Sequence, residues 1–165
     1  FSLLRLILLI FSLMIKFFEI SNNSSSSSFF ISSFKAIKYL NDKNYRVVII
    51  TNQAGIAKGY YSLKNFFKYS NWFNAQFLKK GSFIDQIYFS PFHPEGKIKK
   101  FKKKSNFRKP GNGMIINALK DWEIDKKKSF LIGDKQTDIL AGKKSSIKSY
   151  LVKDNIFNQI KKLTQ

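Results

Sequence analysis

At 165 residues, 44% of them hydrophobic and none of them cysteine, the chain has the composition of one globular domain with a real core, and disulfides and thiolate metal sites are excluded. Lys and Arg number 30 against 10 Asp and Glu, a formal charge of +20 that favours nucleic acid, anionic membrane or phosphorylated ligands. No nucleic-acid reader motif accompanies this charge, and Lys, Ile, Phe and Asn are abundant together, as in an AT-rich coding sequence, so neither a specific nucleic acid nor a membrane is expected as partner.

Residues 1–33 read differently from the rest. The chain starts at Phe1, which fits a fragment, and Leu6 to Ile15 is an uncharged apolar run between Arg5 and Lys16. The run is about half as long as a bilayer span and falls within the roughly 7–15 residues of a signal-peptide core. A single arginine precedes it, however, and no A-x-A-like cleavage site follows. Ser24 to Ser28 is a low-complexity run with nothing to bury. From Phe34 the pattern becomes regular: Phe34, Ile37, Lys38 and Tyr39 or Leu40 predict a helix ending near 41–44. Val47 to Ile50 predict a strand buried on both faces that stops at Thr51. Ser62 is a candidate N-cap for a helix over Leu63 to Lys80, with Gly81 as its stop. Its aromatic stripe reads as core. A strand follows at Ile84 to Phe89, then a lysine-rich loop from Phe92 to Lys109. Helices over Gly113–Trp122, Thr137–Lys144 and Ile156–Leu163 alternate with strands at Ser129–Ile132 and Ser149–Val152. The alternation predicts an α/β fold, a Rossmann-like, mostly parallel sheet flanked by helices, with no internal repeat.

Ligands in such sheets sit beyond the carboxyl ends of the strands. Three polar clusters stand at element ends: Thr51-Asn52-Gln53, Arg108-Lys109-Pro110 and Gly133-Asp134-Lys135-Gln136-Thr137-Asp138. Thr51 can donate to a phosphate, Lys109 can neutralise it, and a carboxylate at Asp134 or Asp138 can hold a hard cation. Asp138 reads equally well as a helix N-terminal charge. Together the three clusters suit a phosphoryl site.

The order TNQAGIAKGYYS, FSPFHPEG, FRKPGNGM, IGDKQTDILAG resembles the haloacid dehalogenase-like phosphatases. Within them it is most similar to the D-glycero-D-manno-heptose 1,7-bisphosphate 7-phosphatase group, which borders the histidinol-phosphate phosphatases. The resemblance covers Phe34 to Val152. It implies a Rossmann-like core, Mg²⁺ and an aspartyl-phosphate intermediate hydrolysed by water. It also implies a phosphorylated sugar or similar small phosphoester as substrate, a cytoplasmic location and a monomer. Carried over by residue, Thr51 steadies the phosphoryl group, and Asn52, Gln53 and Ala54 form the substrate-binding turn. Lys109 stabilises phosphoryl charge, Arg108 recognises substrate, Asp134 binds Mg²⁺ and Lys135 contacts substrate.

Two departures stand out. Where many relatives bind zinc, this chain has Ser90, Phe92, Ser105 and Phe107, so zinc is not expected. His93 is expected to make a local hydrogen bond, with Phe92, Phe101 and Phe107 packing inward and Lys97 to Lys104 facing solvent or a sugar phosphate. The second departure concerns the first motif, Asp-x-Asp-Gly, which supplies the family's nucleophile and acid/base. It is missing, and Glu19 and Asp42 are the only carboxylates before Thr51. Without a carboxylate nucleophile no acyl phosphate can form, so the chain as written is expected to be inactive. The N-terminal strand is therefore expected to be atypical or missing. Residues 1–33 are read as foreign to the family, and 34–165 as its core without the first motif. A frameshift is the leading explanation, with a signal or anchor fused to a degraded domain, or a non-catalytic sugar-phosphate binder, as alternatives.

Overall fold

The computed structural model describes residues 4–9, 24–153 and 155–165, with the side chains of residues 6, 8–9 and 24–30 left outside that description. Glu19 and the apolar run beyond Leu9 therefore lie outside the described residues. Five strands form one parallel sheet: β1 (Arg5–Leu9), β2 (Tyr45–Asn52), β3 (Gln86–Ser90), β4 (Phe130–Gly133) and β5 (Lys148–Leu151), in the order β3-β2-β1-β4-β5. The helices are α1 (Ser24–Asp42), α2 (Ala54–Lys58), α3 (Leu63–Leu78), α4 (Gly113–Asp121), α5 (Gln136–Lys144) and α6 (Ile156–Leu163). The predicted alternation of helix and strand is what the chain adopts.

The two faces of the sheet are set by the period of two along β2. Val47 and Ile49 join Ile7, Ile37, Leu40, Phe66, Phe73 and Phe77 in one core, beneath α1, α3 and α6. Val48 and Ile50 join Leu131, Met114, Ile115 and Ala141 in the other, beneath α4 and α5. Burial on both faces explains why β2 is a continuous β-branched run instead of an alternating one. The stripe of α3 is core, as expected: Phe66, Phe73 and Phe77 are buried, and Ser62 caps the helix by accepting from the Asn65 N–H at 3.1 Å.

One expectation is resolved between its two alternatives, and the bounds of two elements needed correction. Of the two expectations for the first strand, the structure shows a strand that is present and atypical. Arg5–Leu9 lies at the centre of the sheet, with Ile7 beside Val47 on one flank and Phe130 on the other. The helix predicted from Phe34 starts ten residues earlier, at Ser24, and the serine run lies within it. Side-chain composition misled there, because a helix satisfies its backbone internally and needs only one packed face. Ser32 and Ser33 are buried on that face, and Ser32 Oγ donates to Asn155 Oδ1 at 3.2 Å, tying α1 to the start of α6. Finally, the strand expected over Ile84 to Phe89 runs Gln86–Ser90, and the short α2 was not anticipated.

Strand order runs outward from β1 through β2 to β3, then returns to place β4 on the other side of β1. That reversal is the topological switch point, where the carboxyl ends of neighbouring strands part and leave a crevice. Thr51 at the end of β2 and Gly133 at the end of β4 stand on either side of it.

Candidate phosphoryl-binding site

Lys109 is the centre of the polar cluster. Its side chain is only 6% exposed, and its Nζ lies 2.9 Å from Asp138 Oδ1 and donates to the Ile50 carbonyl at 3.1 Å. Asn52 holds the same residue by its backbone: Asn52 Oδ1 accepts from the Lys109 N–H at 3.0 Å and Asn52 Nδ2 donates to the Lys109 carbonyl at 3.1 Å. The amide thus clamps the loop strand to the end of β2, and the following Lys109–Pro110 peptide is cis. Burial pushes the Lys109 ammonium below its ordinary value of 10.5, with Asp138 as the main opposing influence and Asp134 a smaller one.

Asp138 is buried as deeply as any carboxylate in the fold, 1% exposed. Its second oxygen, Oδ2, accepts from the Lys135 N–H at 2.9 Å at the N-terminus of α5. Gly133 makes this approach possible: a Cβ there would stand 2.4 Å from Asp138 Cβ. Asp138 is therefore a helix-end charge and the partner of Lys109 at once. The sequence supplied the helix-end half; the pairing follows only from the fold.

Thr51 is 3% exposed, and its Oγ1 accepts from Gln53 Nε2 at 2.9 Å. Gln53 is buried too, with its Oε1 accepting from the Tyr61 hydroxyl at 2.5 Å. Both ends of the Gln53 amide are thus engaged inside the protein. Ala54, which opens α2, is half-buried. Arg108 is half-buried, its guanidinium donates to the Phe92 carbonyl at 3.4 Å, and burial lowers its ordinary value. Asp134 and Lys135 are exposed at the end of β4. The fold thus gathers Asn52, Lys109 and Asp138 around the Ile50 carbonyl, with Asp134 within electrostatic reach of Lys109, while Thr51, Gln53 and Tyr61 form their own hydrogen-bonded chain from the end of β2.

The loop in place of a zinc site is held by aromatic packing. Phe101 packs on one core and Phe107 on the other, and the Phe92 and Phe101 rings lie 6.3 Å apart. Lys103 Nζ sits 4.5 Å from the centre of the Phe92 ring, and Lys97 to Lys104 carry their ammoniums outward. His93 Nδ1 accepts from the Glu95 N–H at 3.1 Å, the local bond expected of it.

The donor set for magnesium is thin. With Asp138 spent on Lys109 and a backbone N–H, Asp134 is an exposed carboxylate at the end of β4, and no group of three or more His, Cys, Asp or Glu able to hold a metal stands among the described residues. Magnesium demands octahedral oxygen coordination and takes most of it from water and phosphate, so among the described residues Asp134 is a single ligand and not a complete site for a resident ion.

Comparison with known proteins agrees with this geometry. Residues 106–163 match the family model for HAD-hydrolase-like proteins. The chain is 43% identical over 118 residues to a D-glycero-alpha-D-manno-heptose-1,7-bisphosphate 7-phosphatase of Burkholderia mallei, an alignment covering 72% of this chain and 59% of that protein. It is 39% identical over 117 residues to a D-glycero-beta-D-manno-heptose-1,7-bisphosphate 7-phosphatase of Pasteurella multocida, over 71% of this chain and 63% of that one. Among solved structures, the D,D-heptose 1,7-bisphosphate phosphatase of B. bronchiseptica, complexed with magnesium and phosphate, superposes with a TM-score of 0.73. That match is 20% identical and covers 96% of this chain and 86% of the other, so the shared fold takes in the N-terminal part as well. The chain spans about three-fifths of the length of the curated relatives it matches. On its fold, its motif blocks and these relatives, the chain is similar to the haloacid dehalogenase-like (HAD-like) phosphatases.

Proposed function

We propose that the chain is a sugar-phosphate-binding member of the heptose 1,7-bisphosphate phosphatase group that, as encoded here, binds a phosphoester without hydrolysing it. The observation carrying the reading is the buried Lys109 ammonium, held against Asp138 and the carbonyl of Ile50, the residue preceding Thr51 on β2. A fixed cation and a hydroxyl are a ready anion site. Hydrolysis needs a nucleophile, and the residues directly after β1 are Ile10-Phe11-Ser12-Leu13, with no carboxylate among them. In this reading Arg108 and Lys135 contact the sugar phosphate, with the Asn52–Ala54 turn beside them. Asp134 is the residue that would hold Mg²⁺ once a second carboxylate stood at the end of β1, where the ion would neutralise phosphoryl charge. A phosphorylated heptose is the ligand the relatives suggest, and histidinol phosphate is the second candidate.

The test has two arms. The chain as given is titrated with D-glycero-D-manno-heptose 1,7-bisphosphate by calorimetry and assayed for phosphate release with and without Mg²⁺. Binding without release is expected. Release above background overturns the assignment as inactive, and absence of binding overturns the phosphoryl site itself. In the second arm the combined change Ile10→Asp, Ser12→Asp, Leu13→Gly supplies an Asp-x-Asp-Gly after β1. Mg²⁺-dependent release in this variant is expected; a folded, ligand-binding variant that stays inert argues for a binder whose site has diverged beyond the first motif.

A further inference from the structure

We infer that Tyr61 is a positioning residue for phosphoryl recognition, setting through Gln53 the direction in which the Thr51 hydroxyl presents its proton; the inference rests on the phosphoryl reading above.

A threonine hydroxyl has one proton and two lone pairs. Gln53 Nε2 donates to Thr51 Oγ1 at 2.9 Å, so one lone pair is taken and the proton cannot point back at Gln53. Thr51 Oγ1 has no other hydrogen-bond partner among the described residues. Thr51 is only 3% exposed, and in this inference its proton is the one offered to a ligand at the end of β2. Without the Gln53 constraint the same hydroxyl could turn and donate to the amide oxygen, and its proton would be lost to the ligand.

Tyr61 engages the other end of the Gln53 amide. A glutamine amide can sit either way round, and its neighbours decide. The Tyr61 hydroxyl donates to Oε1 at 2.5 Å, which fixes Nε2 toward Thr51. Burial raises the Tyr61 phenol above its ordinary value of 10.0. The ring is seated against the backbone of α2 at Gly55, where a Cβ would stand 2.3 Å from Tyr61 Cε1. A glycine inside a helix costs about 1 kcal/mol relative to alanine, and here that cost is the condition for the ring to lie close. Chain order from Thr51 through Gln53 and Gly55 to Tyr61 therefore encodes one device: seat, ring, amide, hydroxyl.

The experiment uses inorganic phosphate as probe, followed by amide chemical shifts in the full chain, with thermal unfolding recorded for each variant. Thr51→Val sets the loss when the proton is removed. Tyr61→Phe, which deletes one oxygen, is expected to weaken binding about two- to tenfold, the range of one hydrogen bond. Gly55→Ala, which displaces the ring without altering it, is expected to match Tyr61→Phe. Gln53→Glu keeps the acceptor for Tyr61 but cannot donate to Thr51, so its loss is expected to equal that of Thr51→Val. Thr51→Val combined with Tyr61→Phe is expected to be no weaker than Thr51→Val alone, a non-additivity that a merely structural role would not produce. Additive losses, an unchanged Tyr61→Phe, or a Gln53→Glu that binds normally each overturn the inference while leaving the phosphoryl site standing. Absence of phosphate binding by the native chain overturns both.

Discussion

Lys109 and Asp138 make an ion pair with both members almost wholly out of water, at 6% and 1% side-chain exposure. Such a pair is costly to split, because the survivor keeps the desolvation penalty without its counter-charge. Asp138→Asn is therefore expected to lower unfolding free energy by about 3–5 kcal/mol in a urea titration, while Lys109→Met with Asp138→Asn costs less than the sum of the two single changes. An additive pair of losses would mean that the two side chains act independently. Lys109 was legible in the sequence because Arg108-Lys109-Pro110 stands just before a helix, and Asp134 because it follows an apolar run. Asp138 was half legible: a position three residues into a helix is the same whether the carboxylate caps the backbone or pairs elsewhere. Tyr61 stands inside the block TNQAGIAKGYYS, but the block alone gives it no role, since it sits between α2 and α3 where no periodicity marks it. Its part emerges only when Gly55 is seen beneath its ring.

At the scale of elements, the sheet was readable wherever a strand is buried on both faces, and the helices wherever 3.6-residue spacing holds an apolar face. β1 escaped for a physical reason. Arg5–Leu9 is the opening of a longer apolar run that looks the same as a signal-peptide core, and nothing in its own composition says that it pairs with β2 and β4. The serine-rich start of α1 escaped because burial was sought in side chains that are small and polar. The placement of β1 is directly testable. Ile7 is fully buried between the two flanking strands, so Ile7→Ala is expected to cost about 2–5 kcal/mol of unfolding free energy, whereas Ile31→Ala, at a side chain 55% exposed on α1, is expected to change little. Equal, small effects at both positions would remove residues 5–9 from the core.

Over the whole molecule the charge of +20 is spread on the surface, and the sequence could report its size but not its arrangement. Lys97, Lys99, Lys100 and Lys102 to Lys104 stand exposed on the loop that leads into Arg108 and Lys109, so the chain just before the buried ammonium is strongly basic. An anion held mainly by the buried Lys109 and one attracted mainly by this loop differ in their response to ions, because exposed charges are screened over a Debye length of about 10 Å at 0.1 M while buried ones are screened much less. Phosphate affinity is expected to fall as salt rises and then level off; a steady decline to no binding would assign recognition to the surface lysines alone. No helix among the described residues is long and apolar enough to cross a membrane.

The central seat of the first strand reaches beyond the site. Taken out, Arg5–Leu9 would leave two separate ribbons, β3 with β2 and β4 with β5, each baring a row of amide and carbonyl groups down one flank. Raw flanks of that kind are templates for pairing with another chain, and Arg5–Leu9 covers both at once.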